Sequence, residues 1–283
     1  MMIDQNDKRT WWIFAVCMGA LLLTRAAFAA PDNTSSHVSP HRFGVALVAN
    51  YFDYEEPSLI GIDGFMYGLQ GNYTYRDRRI KLVLHASLEA TFGNLNYDGR
   101  TFAGTPVQDD TDDWIVEPRL WGGYDFVLKG KHVVTPFIGF AYRYWNDKIG
   151  GAGGYEREIS YLYSPIGVET RSPLAGEWDW GISAEYDLFW SGRVKSHLSD
   201  VDPFVNDPVV DQDRGSGYGV RLAFRFDREL TNRLALKIEP YAIYWRVGGT
   251  DAAILTLAGD PVASVYEPTN NTTTYGLRVH FVF

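Results

Sequence analysis

Cys17 is the only cysteine in this chain of 283 residues, which excludes an internal disulfide and a cysteine-based zinc site. Nowhere do eighteen apolar residues run together, so a bundle of membrane helices is excluded as well. Basic charge is scarce: 26 Lys and Arg stand against 35 Asp and Glu, a formal net charge of −9. An acidic chain lacks the cationic footprint that nucleic-acid binding needs. There is no G-x-S-x-G, no H-E-x-x-H, no phosphate-binding glycine loop and no EF-hand loop. No cofactor and no metal ligand set is therefore expected. What abounds is aromatic: 15% of residues, 18 of them Tyr, with ordinary Gly and Pro. Such a chain is neither disordered nor fibrous.

The first 29 residues read as an address. Lys8 and Arg9 precede an apolar run of thirteen, Trp11–Leu23, too short to span comfortably as a helix. Ala27-Phe28-Ala29 then supplies the small residues of a cleavage site, so 1–29 is expected to be a secretory signal peptide. Cys17 belongs to it, and the mature chain has no cysteine. Residues 30–42 have no apolar periodicity and read as a flexible periplasmic leader. The domain proper is expected over 43–283.

Beyond Arg42 the hydrophobic period is 2. In Ile80–Phe92, one face is Ile80, Leu82, Leu84, Ala86, Leu88, Ala90 and Phe92, against Lys81, His85, Ser87, Glu89 and Thr91. Alternation over that length marks strands about twice as long as usual, matching the ~9–11 residues that cross a bilayer tilted. Ten such segments are read: Phe43–Phe52, Phe65–Tyr75, Ile80–Phe92, Trp114–Phe126, His132–Trp145, Ser160–Thr170, Trp178–Trp190, Tyr218–Phe226, Leu234–Trp245 and Thr274–Phe283. Their connections alternate short and long, the layout of a transmembrane barrel with short periplasmic turns and long extracellular loops. The fold expected is all-β, a closed antiparallel transmembrane β-barrel of about 10 strands, with 8 or 12 as alternatives. Hairpins beyond the membrane are expected around Asp98-Gly99 and Gly259-Asp260. Pro118, Pro136, Pro165 and Pro240 fall inside strands and are expected at bulges. Aromatics gather at the strand ends as two girdles, with Phe65, Phe92 and Trp114 at one rim and Phe43, Tyr124 and Phe283 at the other.

The last strand carries Tyr275, Leu277, Val279, Phe281 and Phe283 on one face. It resembles the C-terminal assembly signal of Gram-negative outer-membrane barrel proteins, which ends in Phe. The resemblance implies residence in the outer membrane, contact with its lipid and lipopolysaccharide, and delivery by the barrel-assembly machinery. It is silent on function; a monomer that binds no nucleic acid is expected.

The inward faces hold Lys81, His85, Glu89, Glu117, Arg119, Arg143, Glu169, Asp179, Glu185, Asp187, Arg221, Arg225, Lys237, Glu239, Arg278 and His280. Signs so interleaved are expected to pair across the lumen and fill it. A narrow ion path is the alternative. Negative charge collects in the long connections, including Asp53, Glu55, Glu56, Asp109, Asp110, Asp112, Asp202 and Asp260. An acidic crown of this kind can attract basic peptides or divalent cations. The omptin proteases resemble the chain in strand count and loop layout, and set an Asp pair opposite an Asp–His pair at the barrel mouth. Asp110-Thr111-Asp112 resembles the first pair. In the fourth long loop, however, His197 stands three residues before Asp200, not two after an Asp. Three functions stay open: a structural or surface-interaction barrel, which is preferred and is not an enzyme; a low-conductance porin; and an omptin-like endopeptidase using Asp110, Asp112, His197 and Asp200.

Overall fold

The computed structural model describes residues 40–283, apart from 101–103, 152 and 232. The segment expected as signal peptide and nearly all of the expected leader lie outside the described residues. The strands in chain order are β1 (His41–Glu56), β2 (Ile60–Arg76), β3 (Leu82–Arg100), β4 (Pro106–Tyr124), β5 (Phe126–Val127), β6 (Val133–Ile149), β7 (Glu156–Pro173), β8 (Trp178–Ser196), β9 (Val209–Gln212), β10 (Gly217–Thr231), β11 (Leu234–Val247), β12 (Ala253–Leu257), β13 (Asp260–Val265) and β14 (Asn270–Val282). Ten of them (β1, β2, β3, β4, β6, β7, β8, β10, β11 and β14) pair antiparallel with their neighbours, and β14 pairs with β1 to close the barrel. At the seam the Phe43 and Phe283 amides each donate to the other's carbonyl, at 3.1 and 2.7 Å. Closure leaves no edge.

Most strands run 14–19 residues, longer than the alternation at bilayer length suggested. The extra length lies at the loop end. The segment expected as a loop at 53–64 is strand except for residues 57–59, and Asp98-Gly99 lies within β3, not at a turn. The period of 2 continues there, but its phase inverts. In β1, Phe43, Val45 and Leu47 point outward, whereas further along Phe52 and Tyr54 point inward and are buried. In β3, Leu84, Leu88 and Phe92 are outward, then Leu95 and Tyr97 inward. In β6, Ile138 and Phe140 give way to Trp145 and Ile149. An apolar exterior passes into a polar one at one level of the wall, as it must where the medium outside changes from hydrocarbon to water. Register puts Tyr67, Phe92 and Trp114 side by side at that level. At the opposite rim, Phe43 packs against Tyr73 and Tyr124 against Phe126.

Each of the four strand prolines keeps its pairing with one neighbouring strand. Pro118 pairs with Leu88 of β3 while the β4–β6 ladder is interrupted at 117–118. Pro165 pairs with Asp187 of β8, and the β6–β7 ladder is interrupted at 164–165. Pro240 pairs with Leu277 of β14, and the β10–β11 ladder is interrupted at 239–240. Pro136 pairs with Val168 of β7 and lies just beyond the last β4–β6 pair, Gly123–Phe137. Each ring nitrogen lacks one donor, so each proline keeps one neighbour and forfeits a rung to the other. A bulge opposes Leu162 and Tyr163 near Pro165; the other three sit in unshifted strand, contrary to expectation.

Candidate functional site

Alternation sends every second side chain of each strand into the lumen, and three layers result. The middle layer is ionic. Glu117 of β4 receives Arg221 Nη1 at 2.7 Å and Arg143 Nη1 at 3.3 Å. Arg221 Nε reaches Asp187 at 2.6 Å, and Arg119 Nη2 reaches Glu185 at 2.5 Å. Tyr163 donates to Glu117 at 2.7 Å and accepts from Arg221 at 2.8 Å. Three carboxylates thus face three guanidiniums, and burial is offset by neutrality and hydrogen bonding. Across the lumen, Arg278 joins Glu89 at 2.6 Å and Glu239 at 3.1 Å, over the Tyr241 ring at 3.7 Å. Lys237 reaches Glu239 at 3.0 Å, and His280 lies 3.9 Å from the same carboxylate and 3.3 Å from Asn72. Arg225 and Glu169 pair at 2.7 Å.

Three candidates stand apart from these clusters. His85 stacks on Trp121 and bonds Thr74 at 2.9 Å. Lys81 precedes β3, in the turn, with a left-handed φ of 60°. Asp179 lies at the turn end opposite Asp227. All three line a cavity of about 1390 Å³ in the turn-side half of the lumen.

The loop-side half is packed with apolar side chains, many of them (Tyr54, Ile62, Leu95, Ile159, Val194, Val247) in segments expected as loops. Trp145 sits edge-on to Phe52 and Tyr54, and Trp245 packs against Tyr161 and Tyr163. Ile62, Leu95, Ile159, Phe189, Val194 and Val247 complete a buried core that spans the barrel. Above it lies a carboxylate cage. Arg157 of β7 reaches Asp147 at 2.7 Å, Glu56 at 3.1 Å and Glu267 at 3.8 Å. Thr111 donates to Asp147 at 2.6 Å, and Tyr54 donates to Glu56 and Glu267 at 2.7 and 3.1 Å. Burial and the adjacent Glu56 carboxylate push Glu267 up to about 7, against the pull of Arg157.

The protease-like candidates do not converge. Asp110 and Asp112 occupy outward positions of β4 and are exposed, Asp112 accepting from Asn94 at 2.9 Å. The inward positions beside them are Thr111 and Asp113, the latter bonded to the Trp145 indole. His197 lies beside the start of β7, opposite Glu156, with Nε2 at 2.6 Å from Glu158 and Nδ1 at 3.4 Å from Asp207. Asp200 accepts from the Glu156 amide at 3.3 Å. A one-residue parity on β4 thus sends both aspartates out of the mouth. Sequence reasoning passed over Glu156, Glu158 and Asp207 around His197, because a contact across about forty residues, such as that of His197 with Glu158, leaves no spacing signal.

At the loop end, residues 201–206 and the β12–β13 hairpin form a ledge. The Ala258 amide donates to the Phe204 carbonyl at 2.7 Å, and the Thr256 amide to Asn206 Oδ1 at 2.7 Å. The hairpin forms its own two-stranded sheet, so it adds nothing to the barrel count. Phe204, Ile254, Val262 and Tyr266 are each more than half exposed, with Asp202, Asp251 and Asp260 among them in sequence.

No protein-family model and no curated protein matches the sequence. By fold the chain is similar to the outer membrane protease OmpT of Escherichia coli, with TM-score 0.57 and 12% identity over 92% of this chain and 98% of that one. Looser likenesses are a major outer membrane protein of Thermus thermophilus (TM-score 0.38, 13% identity, 86% of this chain and 99% of that one) and the toluene transporter TbuX of Ralstonia pickettii (TM-score 0.37, 7% identity, 86% and 88%). At 12% identity, what is shared with OmpT is the architecture: this chain folds as a closed antiparallel barrel of ten strands, of the outer-membrane type.

Proposed function

We propose that the protein is a sealed outer-membrane barrel that works by surface contact, binding basic polypeptides through its acidic, partly apolar loop end. The observation that carries this reading is the packed loop-side half of the lumen. A continuous apolar layer from Phe52 to Trp245, above a neutral ionic layer, supports a lumen closed to solute. What faces outward beyond the apolar belt is acidic: Asp53, Glu55, Asp98, Asp110 and Asp112 lie on the outer wall, and the ledge offers Phe204, Ile254, Val262 and Tyr266 beside further aspartates. Acidic charge steers a cationic partner and apolar side chains hold it.

Planar-bilayer recording on refolded protein tests the sealing, and a flat baseline is expected; stable unitary steps overturn it. Retention of the full chain on an immobilised lysine-rich peptide tests the contact, and is expected to fall with salt and with removal of residues 252–266. Equal retention on a neutral peptide overturns it. Cleavage of a dibasic peptide that disappears in both Asp110→Ala and Asp112→Ala overturns the non-enzymatic reading.

A further inference from the structure

Beyond the outward apolar belt, residues 197–208 connect β8 to β9, and His197 extends the β7–β8 ladder one rung past Arg157–Ser196. The His197 amide donates to the Glu156 carbonyl at 2.8 Å, and the Ser199 amide to Asp207 Oδ1 at 3.0 Å. On β7, Glu156 and Glu158 are two residues apart, so both carboxylates leave the same face. His197 arrives above them. One ligand atom from each of the three lies within 4.8 Å of the others.

The neighbours hold these groups as ligands are held. Glu156 Oε1 accepts from Asn146 Nδ2 at 2.6 Å, and Glu158 Oε2 accepts from the Tyr144 hydroxyl at 2.9 Å. Each carboxylate therefore has one oxygen fixed by a neutral donor on β6 and the other free to face the imidazole. His197 Nε2 meets Glu158 Oε1 at 2.6 Å, while Nδ1 lies 3.4 Å from Asp207 Oδ2. A metal-ligating histidine commonly gives its far N–H to a carboxylate, which sets the tautomer and raises the basicity of the ligating nitrogen. Asp207 stands in that position. Lys195, 3.9 Å from Asp207, offsets part of its charge.

We infer that Glu156, Glu158 and His197 form a site for a divalent transition metal, which ties the 197–208 segment to the barrel wall. Imidazole with two carboxylates suits zinc and its neighbours, whereas calcium and magnesium take all-oxygen sets. On binding, the Nε2 proton leaves to solvent and the metal takes its place between Nε2 and the two free oxygens. All three ligands are half-buried, so a fourth position stays open to water or to a further ligand.

The test is calorimetric titration of tag-free, chelator-treated, refolded full chain with Zn²⁺, with Ca²⁺ and Mg²⁺ as controls and Co²⁺ as an optical probe. One saturable Zn²⁺ per barrel is expected, with no saturable Ca²⁺ or Mg²⁺ at the same concentrations and a visible Co²⁺ band that Zn²⁺ abolishes. Glu156→Gln and His197→Ala should each weaken Zn²⁺ by about tenfold or more, and Asp207→Asn should cost about tenfold through the imidazole alone. Heat-modifiable gel migration checks folding, and the near-isosteric Glu156→Gln carries the test if His197→Ala does not fold. Absence of saturable Zn²⁺ in the wild type, or affinity unchanged in Glu156→Gln, overturns the proposal and leaves an ion pair only.

Discussion

The two halves of the lumen solve the same problem in opposite ways. Toward the turns, charged side chains project into a cavity of about 1390 Å³, where water screens and solvates them. Toward the loops, aromatic and aliphatic side chains exclude water, and the few charges left there are bonded on nearly every side. An ion pair therefore has a different worth at each end. Arg225–Glu169 borders the cavity, with both side chains about 15% exposed. Arg157 is held among Asp147, Glu56 and Glu267 in the packed half, itself only 2% exposed. In the sealed barrel proposed above, apolar packing and not charge alone closes the lumen.

Four measurements break or sharpen that contrast. The largest effect is expected from Arg157→Ala, which strands the buried Asp147 and Glu56 carboxylates and should cost about 3–5 kcal/mol in urea unfolding of the refolded barrel; Arg225→Ala, beside the cavity, should cost about 1 kcal/mol. Equal losses would erase the distinction between the halves. Trp245→Ala opens a cavity in the packed half and should cost about 3–4 kcal/mol, and adding Trp145→Ala should produce the first measurable conductance. Third is pH. Glu267 rises on folding from 4.5 to about 7, so its contribution to the docked 248–269 segment is fully present below about 4.5. It is lost as pH rises through about 7, a difference of about 3 kcal/mol. Proteolysis of that segment should accelerate from pH 5 to pH 8 in the wild type and stay flat in Glu267→Gln. The smallest effect belongs to the exposed Arg42–Glu229 pair: Arg42→Ala should move stability by less than about 0.5 kcal/mol, vanishing in high salt.

How much of this was legible depended on where the wall stands. At the belt, outward residues such as Leu84, Leu88 and Phe92 alternate against polar ones, and ten strands follow from counting. The inward charges Glu117, Arg119, Glu185 and Arg221 were legible from the same parity. Above the belt the signal changed meaning. Asp53 and Glu55 alternate with Phe52, Tyr54 and Glu56, but a run reading DYEEP looks like loop until one allows the apolar face to turn inward. The cage around Arg157 joins β1, β6, β7 and the segment before β14. Nothing local in the sequence announces so long-range a meeting. The hairpin at 253–265 was legible because Gly259-Asp260 carries its own turn chemistry.

The strand prolines have a mechanical consequence. Between Gly139 and Arg143, β6 lacks pairing with β7 at 139–140 and with β4 at 142–143, opposite Pro165 and Pro118. Only Ala141 is laced on both sides. This stave of the barrel is therefore hinged at mid-height, while β1 is paired on both sides without a break from Gly44 to Glu55. If the hoop is strained by a thinner bilayer or by heat, it gives first at β6, and amide protons there exchange ahead of those in β1.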